Sequence, residues 1–449
     1  MNDWINAETR AEHARDLYDE GRLAEAAAEL RAAIDLNPYN PSWHFNLGLT
    51  LEAMEDYIRA CEAYRAALRL KPDDIEILNC LGVNMNRQGK YSEALKHFER
   101  IEQIDPTYEP CYCNRIVSYS ELSQHDKAEL MFYTARLFKD ACPLCCYNLG
   151  NSFFNAGQYD RAIDCWKQTL QIDPTHPQVN ARIADACWTK GDLESARGYY
   201  EAELDLCPDD LDTILDYGEL LMHLGKLDDA GKQFRTVLQR DHENASANFC
   251  LGEIALKRGQ LQAAEKRFRR ALQIDPKCPG AQARLGQVML RRGMHAKAAR
   301  HFLAEMKLCN DDPQMLHELG RLLMEARQMR QASAAFRRLV KIMPDDPDAQ
   351  HSLAVACFLL GKLDEGIRHC RRAIKLQPEY PLALYNLALA HYKMGQLPRA
   401  KRYAAKALTI APQQEEIRDL SRKLTDRGFW SRLKGLGQKL RRIYHRYKD

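Results

Sequence analysis

Large apolar and small residues return along this chain at a fixed spacing of 34. Counting from Ala7 as position one, position 7 carries Leu47, Leu81, Leu149, Leu251, Leu285, Leu319, Leu353 and Leu387. Position 8 is small in eleven of twelve copies, among them Gly48, Gly82, Gly150 and Ala184. Position 20 is Ala in eleven copies and Gly366 in the other. Position 24 is mostly bulky: Tyr64, Phe98, Phe132, Trp166, Tyr200, Phe234, Phe268, Phe302 and Phe336. Position 15 is Gly in nine copies, after about fourteen residues of helical pattern, and reads as a helix stop. Position 32 is Pro in nine copies and ends a second helix, because its ring and missing N–H cannot continue one. The pattern predicts helix, turn, helix, turn, twelve times from Ala7 to Gln414 with no inserted or deleted residue. A small residue at 8 facing a small residue at 20 lets the two helices approach closely, with the bulky residue at 24 filling the space beside them. A period of this size predicts an all-α solenoid, in which each repeat buries its apolar face on its neighbours.

Length changes the picture little. A chain of 449 residues would ordinarily suggest two or three domains. The continuous repeat predicts instead a lead-in over 1–6, twelve repeats over 7–414, a capping helix over 415–427 and a tail over 428–449. Ile417, Leu420 and Leu424 are spaced to cover the last repeat.

These positions resemble the tetratricopeptide repeat, which has Leu at 7, Gly or Ala at 8, Ala at 20, an aromatic at 24, Ala at 27 and Pro at 32. Leu47-Gly48, Ala60, Tyr64, Ala67 and Pro72 match it, as do Leu251-Gly252, Ala264, Phe268, Ala271 and Pro276. The resemblance implies a right-handed α-α superhelix of about twelve 34-residue repeats, whose first helices line a concave groove through positions 2, 5, 6, 9, 12 and 13. It implies no catalytic activity. Repeat 4 departs most, with Arg115-Ile116, Ser123 and Asp140 at positions 7, 8, 15 and 32, so irregular stacking is expected there.

On the implied groove, position 6 supplies Asn46, Asn114 and Asn148, interrupted by Cys80, and position 9 adds Asn151. An amide both donates and accepts, so a row of them can clamp an extended peptide backbone without reading its sequence. Tyr147, Phe154 and Trp188 stand beside them at positions 5 and 12, as aromatic anchors for a peptide would. Asp185, Asp212, Asp216, Glu219 and Glu253 follow at positions 2, 6 or 9 of repeats 6 to 8 and are expected to line up as one acidic stripe that favours a basic partner. The family's carboxylate-clamp set of Lys, Asn and Arg is not found.

Fifteen cysteines are scattered over the repeats. Cys111, Cys113, Cys142, Cys145 and Cys146 cluster, and Cys142-x2-Cys145 has metal-ligand spacing, but a second such pair is lacking. The expectation is small buried packing residues in a reducing cytosol, with no metal and no cofactor. The start of the chain has no basic stretch followed by an apolar run, so a secretory signal is not expected. A phosphate-cradling Gly-rich loop, H-E-x-x-H and G-x-S-x-G are all lacking, and the chain does not read as an enzyme.

The net charge of +3 conceals an asymmetry. From Arg427 to Asp449 eight Lys/Arg against one acid give +7, leaving −4 on the rest of the chain. Phe429, Trp430, Leu433 and Leu436 fall on one arc at helical spacing, and basic residues including Arg441 and Arg442 occupy mostly the other. That composition suits an interfacial membrane helix. Docking on a partner or on the chain's own acidic groove, or nucleic-acid contact, would draw on the same charges, and nucleic acid is the least expected. The sequence thus reads as a cytoplasmic scaffold, peripheral at an anionic membrane through its tail, that binds protein or peptide segments. The alternative is a targeting or regulatory subunit of an enzyme on a separate chain. The oligomeric state is not set by the repeats.

Overall fold

A computed structural model describes residues 2–139 and 141–425, with side chains from Asn6 onward. Among these residues it contains twenty-five helices and no strand. The chain divides into two compact units, Met1–Ala230 and Gly231–Asp449. The first holds α1 (Asn2–Asp19), α2 (Leu23–Leu36), α3 (Pro41–Ala53), α4 (Tyr57–Leu70), α5 (Ile75–Arg87), α6 (Tyr91–Ile104), α7 (Glu109–Glu121), α8 (His125–Arg136), α9 (Pro143–Asn155), α10 (Tyr159–Ile172), α11 (Val179–Thr189), α12 (Leu193–Leu206) and α13 (Leu211–His223). Helix α14 (Leu227–Arg240) runs over the division. The second holds α15 (Ala245–Lys257), α16 (Leu261–Ile274), α17 (Ala281–Arg291), α18 (His295–Leu308), α19 (Pro313–Glu325), α20 (Met329–Ile342), α21 (Pro347–Leu359), α22 (Leu363–Leu376), α23 (Pro381–Lys393), α24 (Leu397–Ile410) and α25 (Glu415–Thr425). Each odd-numbered helix from α1 to α11 and from α15 to α23 packs on the even-numbered one that follows it, and α25 packs on α24.

The turn inside each pair has one conformation. All nine Gly at position 15 have positive φ, from Gly89 at 73° to Gly191 at 85°. In the other three repeats Glu55, Ser123 and Arg327 take the same left-handed conformation, at 60°, 57° and 61°. The geometry is therefore set by the packing of the two helices and imposed on side chains that disfavour it.

Where position 24 carries a ring, that ring is the centre of the repeat. Tyr64, Phe98, Trp166, Tyr200, Phe234, Phe268 and Phe302 are fully buried. The small residue at position 8 makes room for that ring. A Cβ on Gly82, Gly150, Gly252, Gly286 or Gly320 would come within 2.5 to 2.6 Å of the ring sixteen residues on. Repeat 11 inverts the arrangement: it has Ala354 at 8 and Cys370 at 24, and Phe358 at 12 lies against Gly366 at 20.

Helix starts are capped from the chain itself. Asp74 accepts from the Glu76 and Ile77 N–H groups, and Asp346 from Asp348 and Ala349. In repeats 6 and 9 a buried Glu replaces the small residue at position 27. Glu203 accepts from the Gln178 and Asn180 N–H groups, and Glu305 from Gly280 and Ala283. A buried carboxylate is tolerated there because unpaired helix donors converge on it.

The junction of repeats 4 and 5 differs from the other junctions described. Elsewhere the first helix of a repeat packs mainly on the second helix of the repeat before it; α9 packs more on α7 than on α8. Short α8 ends at Arg136, and Leu137 beyond it is exposed. The departures from the repeat pattern in repeat 4 thus coincide with a shifted stack.

Candidate functional site

Helix α9 carries Tyr147, Asn148, Asn151 and Phe154, all half-buried, along one face at offsets of one, four and seven residues. Buried Cys146, Leu149, Gly150 and Phe153 anchor the helix on its other side. Tyr147 stacks obliquely on His176 at 4.9 Å between ring centroids, and its carbonyl accepts from Trp166 Nε1 at 3.2 Å. Phe154 lies 5.4 Å from Tyr159 and 5.9 Å from Trp166. Trp188, at the same repeat position on α11, meets His223 edge-on at 5.4 Å. The rings are seated against the protein with part of each face left open.

The asparagines of the ladder are not equivalent. At three junctions the residue at position 6 bonds the residue at position 5 of the repeat before it. Asn114 Nδ2 donates to Asn79 Oδ1 at 2.9 Å, Ser352 pairs with His317 at 3.1 Å and Asn386 with His351 at 2.8 Å. These contacts tie repeat to repeat, which gives Asn114 a structural use. The tie is lacking where position 5 of the preceding repeat is Ala11 or Cys113. Accordingly, Asn46 and Asn148 have no side-chain hydrogen bond among the described residues, and Asn151, at position 9, has none either. Asn46 is exposed beside a cleft of about 220 Å³ lined by Tyr18, Leu49 and Thr50.

The acidic residues separate into two groups. In the first unit Asp185, Glu219 and Asp212 all bear on Asp216. Partial withdrawal from water, then the carboxylates of Asp185, Glu219 and Asp212, push Asp216 up to about 6. Burial also raises Asp185, against a hydrogen bond from the Tyr200 hydroxyl and the Arg182 guanidinium 3.8 Å away. In the second unit Glu253 is neutralised: Arg284 lies 3.0 Å from it and also bridges Glu318 at 2.8 Å. Glu253 is therefore half of an ion pair and not a free member of the expected stripe.

The cysteines correct the packing expectation at one place. Cys111 and Cys146 are buried, and burial pushes the Cys111 thiol up to about 12, as suits inert packing residues. Cys113 and Cys145, however, form a disulfide, with Cα atoms 5.2 Å apart. Cys142 Sγ lies 3.6 Å from Cys113 Sγ, and Glu109 joins the group. Sequence reasoning missed Glu109; its spacing of four from Cys113 on a helix was the available signal. Phe429, Trp430, Leu433, Leu436, Arg441 and Arg442 lie outside the described residues. No helix among the described residues is long and apolar enough to cross a membrane.

Helix pairs repeated every 34 residues define a helical-repeat protein. Tetratricopeptide repeat profiles match residues 12–75, 53–109, 143–176, 215–279 and 255–317, and a TPR repeat profile matches 355–395. A profile of the Fis1 C-terminal tetratricopeptide repeat matches 382–427. The chain belongs to the tetratricopeptide repeat family. It is 28% identical over 190 residues to the human protein O-mannosyl-transferase TMTC1, covering 41% of this chain and 21% of that one. It is 30% identical over 132 residues to the peroxisomal targeting signal receptor of Eremothecium gossypii, covering 27% and 23%. The chain thus spans only about a fifth of the length of these relatives. Among solved structures, the Cut9–Hcn1 complex of the APC/C is similar over 94% of this chain and 96% of that one, at 14% identity and a TM-score of 0.41.

Proposed function

We propose that the chain is a non-enzymatic scaffold that holds an extended, basic peptide segment on the first-helix face of repeats 5 and 6. The observation that carries this reading is the state of Asn148 and Asn151. They are half-buried amides on one helix, free of the inter-repeat tie that occupies Asn114, between the open rings of Tyr147 and Phe154. Such amides match a peptide backbone, and the rings with Trp188 supply anchors. The Asp185, Asp212 and Asp216 carboxylates of the next two repeats favour a segment carrying Lys or Arg, whose charge relieves the crowding at Asp216. The relative from Eremothecium gossypii is by its name a receptor for a targeting signal, which agrees with a peptide ligand. The same reading keeps the chain in the cytoplasm, with the basic segment 428–449 drawing it to an anionic membrane surface.

The test is selection of peptides from a random displayed library on the immobilised full chain, followed by fluorescence anisotropy with the selected peptides. Selected sequences should be rich in Lys and Arg, and Trp188→Ala should weaken binding by about 2 kcal/mol, roughly thirtyfold. Equal affinity for the Asn148→Ala/Trp188→Ala double variant would remove this face from consideration, as would a selection that yields no binder.

A further inference from the structure

Four donor atoms meet where repeat 5 stacks out of pattern on repeat 4. Glu109 begins α7 and Cys113 follows one turn later on the same face. Cys142 is the residue just before α9, and Cys145 lies in that helix's first turn. The unusual packing of α9 on α7 brings position 5 of repeat 4 against position 3 of repeat 5, and so joins the two pairs. The Sγ atoms of Cys113, Cys142 and Cys145 and a carboxylate oxygen of Glu109 all lie within 4.8 Å of one another. Cys113 and Cys145 are buried; Cys142 and Glu109 are half-buried. Beside them opens a cleft of about 450 Å³ lined by Arg136, Lys139, Cys142 and Cys145, which gives solvent a path to the group.

Three of the spacings match those of ligands around one ion, while Cys113 and Cys145 are bonded to each other and must part before both can serve as ligands. Zinc binds thiolate sulfur at about 2.3 Å and carboxylate oxygen at about 2.0–2.2 Å, so tetrahedral edges come to about 3.8 Å between sulfurs and about 3.5 Å between sulfur and oxygen. Cys142 Sγ stands 3.6 Å from Cys113 Sγ, and Glu109 Oε1 stands 3.4 Å from Cys113 Sγ and 3.3 Å from Cys145 Sγ. In the disulfide neither Cys113 nor Cys145 carries a proton, so the oxygen's approach to both sulfurs is not a hydrogen bond. The disulfide uses two of the four donors and gives no role to the other two. A cation would use all four.

We propose that the reduced chain binds one thiophilic divalent cation of the zinc class at this junction, through the Cys113, Cys142 and Cys145 thiolates and a Glu109 carboxylate oxygen. Metal and disulfide then exclude each other, because both need the sulfurs of Cys113 and Cys145. Binding expels the thiol protons, so it weakens as the solution is acidified. No fourth thiol is needed, because Glu109 closes the tetrahedron, and the site clamps two repeats whose regular stacking is lost.

The experiment uses the full chain, reduced with a phosphine under argon, loaded with zinc or cobalt(II) and desalted. One zinc per chain is expected by mass spectrometry. The cobalt form should show the thiolate charge-transfer band and the intense visible bands of a tetrahedral site. Cys142→Ser and Cys113→Ser should lose the metal, and Glu109→Gln should weaken it at least tenfold. The Cys207→Ser/Cys309→Ser variant should keep it. The helical circular dichroism signal identifies any variant that fails to fold, and Glu109→Gln, which removes only a charge, carries the test if a cysteine variant does. Substoichiometric zinc in the reduced wild type overturns the proposal, as does octahedral cobalt or full retention by a folded Cys142→Ser or Glu109→Gln chain.

Discussion

Asp216 shows what a single carboxylate costs on a crowded face. Its ordinary value is 3.8, and its surroundings hold it at about 6. A carboxyl raised on folding favours the fold only while protonated. Its contribution is complete below about pH 4 and is lost as pH rises through about 6. Asp216→Asn should therefore raise the melting temperature at pH 8 and leave it nearly unchanged at pH 4, read by thermal denaturation at the two pH values. Equal shifts at both would mean that charge crowding is not what Asp216 experiences. The residue types on this face were legible in the sequence, because repeat arithmetic places equal positions together. Their partners were not. Glu253 shares a position with other stripe residues but meets Arg284, and Asn114 shares one with Asn148 but is tied to Asn79.

At the scale of helices, the close approach inside repeats 2, 3, 5, 8, 9 and 10 depends on a Gly–ring pair. Replacing Gly by Ala inside a helix ordinarily favours the helix by up to about 1 kcal/mol. Gly82 is an exception, because the added methyl would lie 2.5 Å from the fully buried Phe98 ring. Gly82→Ala should destabilise the chain by about 1–3 kcal/mol in urea denaturation. The double variant Gly82→Ala/Phe98→Leu should cost less than the two single changes summed. Additive costs would separate the two positions. The sequence announced that position 8 is small, but periodicity cannot say which neighbour demands it. Glu109 was hidden for a related reason: the broken pattern of repeat 4 announces irregular stacking but not which residues it brings together, here Cys113 and Cys145.

For the molecule as a whole, charge is divided between the array and its basic end. The eight Lys/Arg after residue 426 could each contribute about 1 kcal/mol near an anionic surface before screening, and Trp430, Phe429 and Leu433 would add apolar insertion. Full-length protein should float with anionic liposomes at low salt, and protein ending at Arg427 should stay at the bottom. Floating should decline with added salt and on Trp430→Glu. If neither chain floats, the membrane reading fails, and the carboxylates around Asp216 become the surface on which to test a 428–449 peptide. The repeat count and helix pairing were readable from the 34-residue period because each repeat meets chiefly its neighbours. The division near Ala230 was not, since the period runs through it unbroken.

The Gly–ring pair also dictates where this gene can be cut and rejoined. Both members of the pair lie within one repeat, sixteen residues apart, so a crossover between repeats moves them together. A crossover inside a repeat can bring a ring against a residue larger than Gly. Repeat 11 sets Phe358 against Gly366 instead, so a crossover inside it would separate a different pair. Shuffled libraries of this chain should recover folded proteins joined at the proline-bearing turns between repeats and few joined at the left-handed turns within them.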